Sequence, residues 1–346
     1  VHVDLETLAT ALYVKIDDDL KAHPELQPAG PNGGITPRLS TAELITMAVM
    51  QALLPFRSER RWLRYMGKHL RHLFPYQPGQ SGYNKRLRAA LPLVKHFIRA
   101  LAFDTDFWFD NHWILDSTPV ECGRSRPTVK RSDAAGWAAY GYCASHSRFF
   151  WGLRLYLICT PTGLPILWAL ADAKIGEREV VEAMLDRDEH LLGQRAGLLL
   201  ITDKGFASKR FERDLAERGV TLLRPARKNE KTRPGQGQLK AIRQLIESVN
   251  DTLKGQLDLE LHGARTFEGI AVRVAQRILA MTAAIWHNHK TGQPITRACS
   301  PTTTKTLVSP GITRLASCPV ARAAQWMLGT YGGRHGTGTP LGSFRA

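Results

Sequence analysis

The chain has 346 residues, with 47 Lys and Arg against 31 Asp and Glu, a formal charge of +16 at pH 7. At 43% hydrophobic and 23% charged it has the apolar content of a globular protein. That excludes wholesale disorder, and the length points to about two domains. Five scattered cysteines (Cys122, Cys143, Cys159, Cys299, Cys318) show no CxxC or Cys/His zinc spacing, so they read as reduced thiols in a cytoplasmic protein.

Residues 1–20 hold Asp4, Glu6, Asp17, Asp18 and Asp19, and so do not read as a signal peptide. A Pro/Gly loop at 27–37 separates the first two helices. Ser40-x-x-Glu43 is a capping box that opens the apolar run 44–54, and Pro55 ends it. Apolar residues recur at helical spacing over 57–73 and 82–101, with cations between them. Residues 1–105 are therefore expected to be all helical.

From Phe107 the pattern changes. Short β-like runs at 113–120, 149–159, 164–171, 198–202 and 220–223 are joined by helical patterns at 177–192, 208–218, 238–257 and 266–287. The uncharged stretch 155–171 reads as a buried hairpin around Thr160-Pro161-Thr162-Gly163, too short and too interrupted to span a membrane. Three strands in succession and then alternating helix and strand predict a mixed sheet with helices on its faces, over residues 106–290. From Lys290 to Ala346, 57 residues hold seven Lys or Arg and no Asp or Glu. The tail 291–346 is expected to be a disordered basic arm or a frameshifted translation, and no function is assigned to it.

The charge is uneven. Residues 57–99 carry eleven Lys or Arg against one acid, Glu59, and residues 204–243 carry twelve against four. Any single cation is best read as a solvated helix face, but this density predicts a polyanionic partner, nucleic acid. Arg60, Arg61 and Arg64 are the cations assigned to DNA within the helical region.

Three acids stand out. Asp116 ends the apolar run Trp113-Ile114-Leu115, which predicts that it projects from the tip of a buried strand. Asp203 follows 198–202 in the same way and precedes Lys204-Gly205-Phe206. Either one alone reads as a turn or capping residue; two strand-end acids in one sheet mark a place where ligands gather. Glu247 lies on a helix with Arg243 four residues before it and Lys254 seven after, one side of the helix. A plain i,i+4 ion pair is the simpler reading of Arg243 and Glu247. Asp172, at the end of the run 164–171, competes with Asp203.

Asp116, Asp203 at a spacing of 87 and Glu247 at a further 44 resemble the acidic triad of DDE transposases from bacterial insertion sequences. Arg243-x3-Glu247-x6-Lys254 is similar to that group's Tyr-x2-Arg-x3-Glu-x6-Lys signature, with Lys240 where the signature has tyrosine. Asp203-Lys-Gly-Phe is similar to the motif at the second acid. The resemblance implies an α/β, ribonuclease-H-like mixed sheet with flanking helices, preceded by the all-helical DNA-binding region. It further implies cleavage at element ends and transfer of the exposed 3′-hydroxyl to target DNA. Such in-line chemistry calls for two Mg²⁺ ions, with Mn²⁺ able to substitute, held by Asp116, Asp203 and Glu247. Arg243, Lys254 and Lys204 are assigned to the DNA backbone near the scissile phosphate. The expected partner is double-stranded DNA, bound by a homodimer in the cytoplasm at the nucleoid. The rivals are a ribonuclease-H-like nuclease without strand transfer, an inactive DNA-binding relic, and a phosphatase using Asp116, where Thr118 stands in place of a second acid. His287-Asn288-His289 reads as a helix terminus before an HNH nuclease.

Overall fold

The computed structural model describes residues 2–27, 37–143, 147–233, 235, 237 and 239–295. Residues 28–36 of the Pro/Gly loop and the acid-free tail beyond 295 lie outside these.

The helical region comprises α1 (His2–Ala22), α2 (Thr41–Leu53), α3 (Glu59–His69), α4 (Gln80–Ala89) and α5 (Leu91–Phe103). α2 opens on the expected capping box: Ser40 Oγ accepts from the Glu43 amide at 3.0 Å, and Glu43 Oε2 accepts from the Ser40 amide at 2.6 Å. Its apolar residues are buried on nearly every side, which makes it the central helix of the region. α3 starts at a Ser58 cap and buries Trp62, Leu63 and Met66. Arg60, Arg61 and Arg64 point outward. The pattern at 82–101 divides into two helices at Ala90, with Pro92 in the first turn of α5. A proline lacks the amide that a helix interior needs, and a first turn does not.

The sheet contains β1 (His112–Gly123), β2 (Ala139–Cys143), β3 (Arg148–Cys159), β4 (Pro165–Asp172), β5 (Leu198–Ile201) and β6 (Val220–Leu223). Its order is β2-β3-β1-β5-β6. β4 continues the β2 edge, pairing with residues 153–159 of β3 while β2 pairs with 148–152. β1, β3 and β4 run antiparallel to their neighbours, and β1, β5 and β6 are parallel. α7 (Glu177–Arg187), α8 (Glu189–Gly193) and α9 (Lys209–Glu217) form the crossovers. α6 (Arg126–Arg131), α10 (Leu239–Asp251) and α11 (Phe267–Lys290) complete the set. This is the expected ribonuclease-H-like mixed sheet with flanking helices behind a helical N-terminal region.

One expectation is corrected. Asp116 does not stand at a strand tip: β1 runs on to Gly123, because β3 continues to pair with it through Glu121. What stops near Asp116 is the pairing on the other side, where β1 and β5 part after Ile114↔Ile201.

α11 is long and apolar enough to cross a bilayer, yet 89% of its apolar window is buried within the protein. It packs on α5 and α2, so the helical region and the sheet share one hydrophobic core. A buried polar network runs through that contact. Arg273 of α11 pairs with Glu59 of α3 and donates to Gln51 (3.2 Å) and Gln276 (2.9 Å), while Tyr83 donates to Gln51 at 3.0 Å. Removing one member of a buried ion pair strands the other charge without solvent. Glu59→Ala is therefore expected to lower unfolding free energy by about 3–5 kcal/mol in urea titration. A loss below about 1 kcal/mol, the range of an exposed pair, would contradict this account of the contact.

Candidate active site

The parallel register positions the first two acids. His112↔Leu199, Trp113↔Leu200 and Ile114↔Ile201 are paired, and Asp116 and Asp203 each follow two residues after the last pair. They therefore lie level with one another where β1 and β5 separate, the kind of opening at which open α/β sheets gather ligands. The apolar residues before them explain the local fold: Trp113, Ile114, Leu115, Leu200 and Ile201 are buried, and each run drives its strand into the core.

Burial pushes the Asp116 carboxyl up to about 6. The Ser117 amide lowers it, Asp203 and Glu177 raise it by repulsion, and Arg243 draws it down. Its Oδ1 accepts from the Ser117 amide at 2.8 Å, and its Oδ2 accepts from Asn250 Nδ2 at 2.7 Å. Asp203 begins a 3₁₀ turn over Lys204–Phe206, and its Oδ1 accepts from the Gly205 amide at 2.8 Å. A Cβ on residue 205 would stand 2.9 Å from that oxygen, so any larger residue there displaces the Asp203 carboxylate.

α10 crosses β1 with its polar stripe toward Asp116. Asn250 bonds Asp116 directly, and the Arg243 charge acts on it from one end of the stripe. Glu247 lies between them along the axis but to one side, about 40° round the helix from Arg243 and about 60° from Asn250. Its side chain is 60% exposed, with Arg243 at 3.8 Å. Ile242, Ile246 and Val249 bury the adjoining stripe, about 100° round the helix. After Asp251 the helix widens into a π turn at Thr252–Gln256, which carries Lys254 against Glu260 at 3.9 Å.

Among the described residues no three His, Cys, Asp or Glu side chains converge as they would on a bound ion. Asp116 and Asp203 are close enough for their charges to interact, and Glu247 projects outward on the neighbouring helix. The donors are carboxylate oxygens, a set suited to Mg²⁺ or Mn²⁺ and not to a soft metal. The repulsion that raises Asp116 is also what a cation would relieve. The chemistry of Asp116 and Asp203 fits a divalent ion, with Glu247 turned away from them.

Other sequence candidates divide into two groups. Lys204, Arg60, Arg61 and Arg64 are exposed. Arg57, by contrast, grips Asp258 with two bonds of 2.8 and 2.9 Å, Arg86 caps the Leu39 carbonyl at 2.7 Å, and Arg99 pairs with Asp188 at 2.7 Å. Arg224 and Arg227 are tied to Glu230 and the Ala207 carbonyl. Asp172 caps a turn through the Lys174 amide at 2.8 Å. His289 ends α11 beside Asp106 and Phe107. Sequence reasoning missed Asn250, Arg154, Ser117 and Glu177. Asn250 had a signal, seven residues beyond Arg243 on the same helical face. Glu177 had none, since an acid in a first turn is ordinary helix chemistry.

Asp116 should make stability depend on pH. Its folded pKa is above the unfolded value of 3.8, so its contribution is complete below that value and is lost as pH rises through about 6. Asp116→Asn is expected to be more stable than the parent at pH 8, by on the order of 2–3 kcal/mol, and to gain nothing at pH 3.5. Mg²⁺ is expected to raise the parent's melting temperature at pH 8 and not the variant's. Parallel pH curves, or an equal response to Mg²⁺, would contradict this electrostatic account.

Comparison with known proteins places this geometry. Residues 107–283 match the family described as Transposase DDE domain. No curated protein matches. A solved structure of similar outline is a cryo-EM piggyBac transposase synaptic complex with hairpin DNA, 11% identical, TM-score 0.42, covering 84% of this chain and 75% of that one. The family match takes in β1, β5, α10 and most of α11, and so all three candidate acids; the chain belongs to the Transposase DDE domain family.

Proposed function

We propose that this transposase binds the terminal inverted repeats of an insertion sequence, cleaves DNA at the element ends and joins the freed 3′ ends to target DNA. The single observation that carries the reading is the level placement of Asp116 and Asp203 beneath the polar stripe of α10.

Asp116, Asp203 and Glu247 are the residues to hold two Mg²⁺ ions, or Mn²⁺ in their place. Held there, divalent ions would supply Lewis-acid activation of the attacking oxygen and charge stabilisation of the leaving one. Glu247 needs to turn inward from its exposed position, and the Arg243 pairing at 3.8 Å is loose enough to release it. Asn250 holds one Asp116 oxygen and the Ser117 amide the other, so the carboxylate is oriented before any ligand arrives. Arg243, Lys254 and Lys204 meet the phosphates near the scissile bond. Arg60, Arg61 and Arg64, exposed on one helix, contribute backbone contacts further along a DNA duplex. Two ends must be joined, so the working form on DNA is a homodimer.

The substrate for the test is duplex DNA copied from the sequence flanking the gene. Asp116→Asn, Asp203→Asn and Glu247→Gln are each expected to reduce Mg²⁺-dependent cleavage at least about 100-fold while leaving duplex binding measurable. Cleavage by any one of them at the parental rate would remove that residue from the site. Products longer than a pre-cut substrate mark strand transfer; their absence alongside cleavage would favour the simple nuclease. Deleting residues 1–105 would uncover α11, so the charge test uses Arg60→Ala, Arg61→Ala and Arg64→Ala together. The triple variant is expected to flatten the slope of log affinity against log salt by up to about 3. An unchanged slope would assign DNA contact elsewhere.

A further inference from the structure

The two aspartates lie on segments that no strand pairing joins at their own level, since β1 and β5 separate after Ile114 and Ile201. The first turn of α7 bridges the gap. Glu177 Oε1 accepts from Ser117 Oγ at 3.0 Å, and Ser117 adjoins Asp116 in β1. The next residue, Arg178, donates to the Gly205 carbonyl at 3.3 Å and the Ala207 carbonyl at 3.2 Å, both in the turn that Asp203 begins. Glu177 Oε2 itself leans over that turn: it and Asp203 Oδ1 lie 3.4 and 2.9 Å from one point above Gly205. Arg154 on β3 supports the arrangement, donating from Nη1 to Glu177 at 2.7 Å and from Nη2 to the Tyr142 carbonyl at 2.8 Å. Its charge offsets that of a third carboxylate beside the two aspartates.

We propose that Glu177 and Arg178 are positioning residues for the transposase reaction, a two-residue bracket that sets the separation of Asp116 and Asp203. Glu177 holds the β1 side and Arg178 the turn side; cutting either end frees both aspartates to drift. The consequence for function rests on the reading of those aspartates as metal-holding acids; the bracket itself does not.

Two measurements test it. In the first, hydrogen exchange is followed at the amides of residues 203–207 in the metal-free protein. Glu177→Ala and Arg178→Ala are each expected to speed exchange there about tenfold or more, and Glu177→Gln, whose amide oxygen still accepts from Ser117 and Arg154, is not. In the second, cleavage of the flanking-sequence duplex is titrated with Mg²⁺. Both alanine variants are expected to raise half-saturating Mg²⁺ about tenfold or more with duplex affinity unchanged, Glu177→Gln to restore it, and the double alanine variant to be no worse than either single one. Equal impairment of Glu177→Gln and Glu177→Ala would show that the charge acts directly and would overturn the bracket. So would multiplying effects in the double variant, or parental exchange at 203–207. Ser117→Ala, which removes only the hydroxyl at the β1 end, replaces Glu177→Ala if that variant unfolds, with the same outcomes expected. If the parent itself cleaves nothing, the functional reading fails on its own, and the exchange data still decide the bracket.

Discussion

The constraint on which the site depends is where two parallel strands stop pairing. β1 and β5 share three register pairs and then diverge, yet β1 stays ordered for another nine residues because β3 pairs with it on its far side. The strand can therefore carry an acid along an unpaired edge without fraying. Asp203 arrives level with Asp116 because its strand ends at Ile201, one residue before the chain turns. The result is two carboxylates close enough for their charges to interact, one of them held up at about 6 by burial and by its neighbours' charge. Such crowding is unfavourable in the empty protein. A bound cation would relieve that repulsion.

Around that edge the fold places supports from three directions. α10 lays Asn250 and Arg243 toward Asp116 while its apolar stripe is buried, so the polar stripe has one orientation available. α7 begins with Glu177 and Arg178 touching both acid-bearing segments. β3 supplies Arg154 from behind. The helical region is bound into the same core through α11 and the Arg273–Glu59 pair, so its exposed cations and the acids of the sheet belong to one packed body.

Much of this was legible in the sequence, and the exceptions have physical causes. β6 at Val220–Leu223 matched residue for residue, and β5 to within one, because in each strand three of the four residues are buried and apolar, a run too short for a helix. β2 escaped because Ala139-Tyr-Gly-Tyr-Cys is a short edge strand with two exposed tyrosines. Asp116 was taken for a strand tip because the continuous apolar run stops at Leu115, although the wider β-like run 113–120 already extended past it and the strand continues to Gly123. The run 177–192 is two helices, broken at Asp188. The cations show the limit of counting charge: Arg57, Arg86 and Arg99 serve the fold, and only contacts separate them from Arg60, Arg61 and Arg64. Side-chain partners across the sheet, such as Glu177 with Ser117, leave no trace in one dimension.

The most direct measurement is anomalous diffraction from crystals equilibrated with Mn²⁺ at neutral pH. The account requires a manganese peak within coordination distance, about 2.2 Å, of carboxylate oxygens from both Asp116 and Asp203. A peak held by other residues, or none with those two carboxylates facing apart, would contradict it.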